Sequence, residues 1–262
     1  EFFGSEYEIN LSDVILESKN AGEDIKITTK LDNGKLYSKN RDCYIDFNSL
    51  DLRTNITKKS ITLNNEVFNY SGKVYDGNTS SNVTVKADKF NELLLSGDNV
   101  TLNIVSQSFD QANAGLRSIN LELNLQGEQA NNYSVNSPYA IENVNITKKE
   151  ITLTNSNLEG LNQKEYDGTV NTKYTLKDVE ELINANVVIS SQTVPNAKLI
   201  DENQTATINL ELEGEGKDNY SLLTTTLTVD DYKIVKAVIN YSFTQGKITK
   251  VYDGTVNVED GK

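Results

Sequence analysis

Few residues in this chain have side chains whose ordinary chemistry runs near neutral pH. There is no histidine, so the commonest proton shuttle and metal ligand is missing and neither serine–histidine nor cysteine–histidine catalysis can be assembled. The single cysteine, Cys43, rules out a disulfide framework or a thiolate zinc site within the chain, and as a small hydrophobe it is expected in a strand or the core. Carboxylates remain. Glu180-Glu181 and Asp230-Asp231 are adjacent pairs, and neighbours in sequence do not share a helix or strand face, so neither makes the opposed couple that glycoside hydrolysis needs. Gly214-Glu215-Gly216 lacks the strand-to-helix setting of a phosphate loop and reads as a hairpin tip. The sequence therefore assigns no catalytic, cofactor-binding or metal-ligating residue, names no ligand-binding residue, and predicts a protein that is not an enzyme and carries no cofactor.

What does recur is a turn. Tyr75-Asp76-Gly77, Tyr166-Asp167-Gly168 and Tyr252-Asp253-Gly254 each stand two residues after a lysine, Lys73, Lys164 and Lys250. Asp-Gly favours reversal because glycine takes positive φ without steric cost and aspartate hydrogen-bonds the backbone that follows it. The structural expectation is that the tyrosine packs on its own bead while Asp-Gly turns the chain. A cation site is the competing reading, but one aspartate per motif falls far short of the 6–8 oxygens of a calcium site.

The elements that hold these turns repeat with them. Ile56-Thr57-Lys58-Lys59-Ser60-Ile61-Thr62-Leu63 returns from Ile146, 90 residues later, and Ile119-Asn120-Leu121-Glu122-Leu123 returns from Ile208. Asn132-Tyr133-Ser134 returns as Asn219-Tyr220-Ser221, and Asn20-Ala21-Gly22 as Asn113-Ala114-Gly115. The chain thus divides into the end of one repeat (1–55), two whole repeats (56–145 and 146–233) and the start of another (234–262). It reads as a piece of a longer array. Segments of this length can each bury a small core, and the junctions lack the Gly, Ser and Pro of a flexible linker, so stiff head-to-tail coupling is expected.

Within a repeat the dominant signal has period two. Val100, Leu102 and Ile104 alternate with polar residues, as do Ile119, Leu121, Leu123 and Leu125. Asp88–Leu94 and Asp178–Ile183 instead start with a capping residue and space apolar side chains at helical intervals, predicting one short helix per repeat. The fold class is mostly β: tandem small immunoglobulin-like β-sandwich beads each with one short helix, or alternatively β-grasp-like beads with the helix across a single sheet.

Composition narrows the partners. With 38 acidic against 25 basic residues the net charge is −13, which opposes nucleic-acid binding. No stretch approaches the roughly 18 apolar residues of a membrane span, so no membrane insertion is expected. The lysine-led Tyr-Asp-Gly runs, the Asn-Tyr segments and the Ile-Thr-Lys-Lys junctions, in common order and spacing, resemble the YDG (MBG-type) repeats of bacterial cell-surface adhesins. That resemblance covers 56–262 well and 1–55 weakly. It implies an extracellular, surface- or wall-attached array, a non-enzymatic stalk or adhesive whose partners are host or bacterial surface molecules, glycans, or the array itself in trans. The alternatives are a carbohydrate-binding module, with exposed Tyr133 and Tyr220 stacking on sugar rings, and accessory repeats attached to an extracellular enzyme.

Overall fold

The computed structural model describes residues 14–30, 32–37, 43–198, 202–240, 251, 252 and 254. They fall into two compact units, Glu1–Glu150 with Asp218–Ser221, and Ile151–Lys217 with Leu222–Lys262. The chain is mostly β.

In the first unit β1 (Lys73–Val74), β2 (Thr101–Phe109), β3 (Gly115–Gln126) and β4 (Tyr139–Thr147) form a four-stranded sheet in the order β2-β3-β4-β1. The alternation in β3 sets its faces: Ile119, Leu121 and Leu123 are buried while Asn120, Glu122 and Asn124 are exposed, as period two requires. Pairing is antiparallel between β2 and β3 and between β3 and β4, with bulges between Ile104 and Ser106 and between Arg117 and Ile119. β1 runs parallel to β4, Lys73 opposite Ile146. The same unit holds a three-stranded antiparallel sheet of Val14–Leu16, Gly22–Thr29 and Arg53–Ile56.

The second unit repeats the plan. β5 (Gln163–Glu165), β6 (Asn186–Thr193), β7 (Gln204–Glu213) and β8 (Thr226–Val235) order as β6-β7-β8-β5, and β5 is parallel to β8 with Lys164 opposite Ile234. The two cores trade volume at matching positions. Phe109 and Val144 are buried in the first unit, and Val194 and Tyr232 in the second, so the aromatic ring moves from one strand to another while the pair keeps a similar bulk.

Among the described residues the only α-helix is α1 (Ala87–Asn91), with Lys86 at its N-cap and Phe90 as its buried residue. It begins one residue before the expected Asp88 and ends well short of Leu94. The helix expected over Asp178–Ile183 is absent: Asp178 takes φ 50 and Leu182 bridges to Ala185. The cause is a substitution in the adjoining turn. Val67 and Asn157 occupy matching positions, each giving its carbonyl to the lysine N–H that opens the segment, Lys86 or Lys177. In the second unit the Asn157 amide also donates to the carbonyls of Lys177 and Asp178, tying those residues to the turn while Asp178 takes the positive φ that a right-handed helix cannot contain. Two smaller expectations also change. Cys43 is exposed and precedes the strand Tyr44–Asp46 rather than lying in it. Gly214-Glu215-Gly216 follows β7 but is not a hairpin tip, since the next strand, Tyr220–Leu222, does not pair back onto β7; it lies against the backbone of Ile183 and Asn184, the Gly216 N–H donating to the Asn184 carbonyl at 2.8 Å, an approach that a side chain at either glycine would block.

Candidate functional site

The Tyr-Asp-Gly turns sit where the sheets need closing. Tyr75 N–H donates to the Thr147 carbonyl at 2.8 Å, continuing β1 along β4, and four residues later the Thr79 carbonyl accepts from Phe109 N–H at 2.8 Å on the opposite edge strand β2. In a flat sheet Tyr75, in line with β1, and Thr79, one position outside β2, would stand four strand spacings or about 19 Å apart. Four residues reach at most about 14 Å even when fully extended. The sheet must therefore curl, and the turn ties its edges together, removing exposed edge groups that would otherwise be free to pair. In the second unit Tyr166 N–H binds the Val235 carbonyl at 2.9 Å and Val194 N–H the Val170 carbonyl at 2.9 Å.

A lysine locks each turn. Lys73 Nζ donates to Asp76 Oδ1 at 2.7 Å, to the Asn78 carbonyl at 2.7 Å and to Asn78 Oδ1 at 2.9 Å. Lys164 Nζ donates to Asp167 Oδ1 at 2.8 Å, to the Thr169 carbonyl at 2.7 Å and to Thr169 Oγ1 at 3.0 Å. An ammonium has three donors, and all three are taken in both turns. The aspartates also accept the backbone N–H of Asn78 and Thr169. Gly77 and Gly168 both take φ 79, a conformation that other residues adopt at a cost.

The carboxyls respond to this setting. At Asp76 partial burial disfavours the charged form, but the Lys73 hydrogen bond, the Asn78 N–H and the lysine charge outweigh it and hold the group below the ordinary value. Asp167 lies well below the usual carboxylate range through the Lys164 hydrogen bond and the two bonds from Thr169.

A glutamine secures the chain beyond each of these two turns, and nothing in the sequence except its recurrence points to that role. Gln107 Oε1 accepts from Val83 N–H at 2.5 Å while its amide donates back to the Val83 carbonyl at 3.2 Å. Gln192 makes the same pair of bonds with Tyr174, at 2.6 Å and 3.0 Å.

The tyrosines diverge. Tyr75 is 6% exposed, as a packed turn residue should be, whereas Tyr166 is 47% exposed and Tyr252 is also exposed. The ring of Tyr220, from the segment Asp218–Ser221 of the first unit, meets Tyr75 edge-on, 5.4 Å between centroids at 81°. Asp253 lies outside the described residues, and Gly254 has φ 76. Tyr133 and Tyr220, expected on the surface, are 2% and 4% exposed. The Tyr133 hydroxyl donates to Asp98 Oδ2 at 2.6 Å and accepts the Leu95 N–H at 2.9 Å. A phenol whose apolar body fills the core and whose hydroxyl is satisfied there has no face left for a sugar.

The neighbouring asparagines make a second repeated contact. Asn132 Oδ1 accepts the Ala21 N–H at 2.8 Å and its amide donates to Asn20 Oδ1 at 3.1 Å. Asn219 Oδ1 accepts the Ala114 N–H at 2.8 Å and its amide donates to Asn113 Oδ1 at 3.4 Å. Among the described residues no three His, Cys, Asp or Glu side chains gather as a metal site.

These features define a class of small β unit in which a lysine-clamped turn closes a curled mixed sheet. Residues 57–141 match the family model of the YDG domain, so the resemblance to YDG repeats holds over that stretch, which contains the first clamped turn. Comparison with curated proteins and with solved structures found no match.

Proposed function

We propose that this chain is a non-enzymatic repeat region of a bacterial surface protein, a run of small sandwich-like beads that serves as an extracellular, wall- or surface-attached stalk, as an adhesive array, or as both. The observation that carries the reading is the internal use of the repeated polar groups. All three Lys73 and all three Lys164 donors are engaged within their own turns, so the feature that recurs along the chain supports a fold and not a ligand. The YDG match over 57–141 and the net charge of −13 fit this reading. Sugar stacking on Tyr133 and Tyr220 is not favoured, since both are buried.

Two measurements on the whole chain test the stalk and the adhesive, and an assay for polysaccharide turnover tests the non-enzymatic reading. Single-molecule extension should give cooperative unfolding events releasing roughly 300 Å each, the extended length of about 90 residues. Microspheres coated with the chain should adhere to cells or to one another. Extension without any cooperative event overturns the stalk, failure to adhere to any surface overturns the adhesive, and turnover of a polysaccharide by the chain overturns the non-enzymatic reading.

A further inference from the structure

The first unit shows what covers a Tyr-Asp-Gly tyrosine. An Asn-Tyr segment arriving from later in the chain, within Asp218–Ser221, places its Tyr220 ring edge-on against Tyr75 while the adjacent Asn219 accepts the Ala114 N–H and donates to Asn113 Oδ1. The same pair of bonds recurs at Asn132 with Asn20-Ala21, so reception of an Asn-Tyr segment is part of the repeat and not an accident of one site.

In the second unit the same turn is bare. Tyr166 stands in the same backbone frame as Tyr75: its N–H binds the last strand of the sheet, and the glycine two residues on has φ 79. Its backbone is therefore held as that of Tyr75 is, yet its ring is 47% exposed and no described ring packs on it. It borders a cleft of about 540 Å³ whose lining includes Gly160, Leu161, Lys164 and Lys173, and Leu161 is also exposed. The cleft is mixed: Tyr166 and Leu161 supply its apolar part, and Gln163, Glu165, Asp167 and the two lysines the rest, so it suits a group that carries a ring beside polar neighbours.

We propose that the face around Tyr166 docks the Asn-Tyr segment of a further repeat of this kind, the sort of repeat that Lys250-Val251-Tyr252-Asp253-Gly254 opens in the sequence. The occupant is fixed by chemistry. A tyrosine edge meets the Tyr166 ring as Tyr220 meets Tyr75, an edge-on arrangement that aromatic rings favour over a face-to-face stack. This goes beyond the proposed function, because it needs only the repeated geometry and stands whether or not the chain adheres to anything.

The test is tyrosine nitration by tetranitromethane, mapped by mass spectrometry. In the chain as it stands Tyr166 reacts at a rate close to that of Tyr44, which is 52% exposed, and Tyr75 is protected. Replacing Tyr220→Leu should expose Tyr75 to the reagent; a Tyr75 that stays fully protected overturns the premise that the Asn-Tyr segment is its cover. A lengthened chain, residues 1–257 followed by a second copy of 172–233, should slow nitration of Tyr166 at least fivefold and leave Tyr44 unchanged. Exchanging the appended Asn-Tyr for Ala-Ala should restore the original rate. A second lengthened chain ending instead in a copy of 81–147 guards against an appended copy that fails to fold. Tyr166 reacting at its original rate in both lengthened chains overturns the proposal.

Discussion

The turns at Tyr75-Asp76-Gly77 and Tyr166-Asp167-Gly168 are the same object in different surroundings. Their glycines share φ 79, and their lysines reach the aspartate at 2.7 Å and 2.8 Å. One tyrosine is nevertheless covered and the other half-exposed. The conformation of the turn thus does not depend on burying its tyrosine. It is set by the lattice of lysine, aspartate and the residue two places further on, Asn78 in one case and Thr169 in the other, each supplying a side-chain oxygen and a carbonyl to the ammonium. The residue between lysine and tyrosine, Val74 or Glu165, is exposed in both, so it varies freely. Closing the sheet and offering an aromatic face are separate jobs.

The largest expected effect breaks the comparison at the tyrosines. Tyr75→Ala removes a buried ring and should destabilise the first unit by roughly 3 kcal/mol, while Tyr166→Ala should change the second by less than about 1 kcal/mol. Urea unfolding followed by hydrogen exchange at each turn measures both, and equal losses would show that the exposed ring is already packed in solution. Next come the lysines. Lys164 has a side chain 3% exposed against 18% for Lys73, so Lys164→Met should cost about 2 kcal/mol and Lys73→Met about 1 kcal/mol, by loss of charge-assisted hydrogen bonds. The reverse order in the same melts would show that burial does not grade the clamp.

How much of this was legible follows from where each signal resides. Alternation in Gly115–Gln126 is a property of adjacent residues, so the strand and its buried face could be read directly. Asp-Gly reads as a turn for the same local reason. The lysine's part could not be read, because its acceptors include carbonyls five residues on that only the folded turn brings back. Asp178–Ile183 carried a helical pattern that Asn157, some twenty residues earlier, overrides through side-chain bonds invisible to any periodicity. Tyr133 and Tyr220 misled because tyrosine is equally at home on a surface and in a core, and only its partners Asp98 and Leu95, or Tyr75, decide.

An effect of similar size to the lysines' tests whether the second turn relies on its glycine. Gly168 has nothing within 4 Å of where a Cβ would stand, so the Cβ of Gly168→Val meets no clash and the left-handed backbone sets its main cost, roughly 1–2 kcal/mol. Hydrogen exchange should show the loss confined to the second unit, with the first unit's protection unchanged. Loss of protection at Tyr75–Thr79 as well would mean that the two turns are not independent.

The smallest effect sharpens the comparison through pH. Both aspartates have folded pKa values below the ordinary 3.8, so the unfolded chain binds more protons than the folded one as acid is added. Their stabilisation is complete above the unfolded value, from about pH 5 upward, and is lost as pH falls below 4 toward each folded pKa. Asp167 is lowered further than Asp76, because no burial penalty leads its causes and Thr169 adds a second bond. Its contribution should therefore continue to fall at lower pH than that of Asp76. The carboxylates are 40% and 45% exposed, so solvent screening keeps the effect modest. The whole chain changes on top of this, since acid first relieves the self-repulsion of a net charge of −13 and then, below the isoelectric point near 4.6, builds up positive charge. The comparison must accordingly be made between variants and not on the parent's own pH profile. Urea midpoints of the parent, Asp76→Asn and Asp167→Asn between pH 2 and 6 should show each variant's deficit present at pH 6 and shrinking in acid, with that of Asp167→Asn larger and persisting further down. Deficits that grow on acidification would reverse the assigned sign and remove the lysine–aspartate pair from the account of how these turns hold.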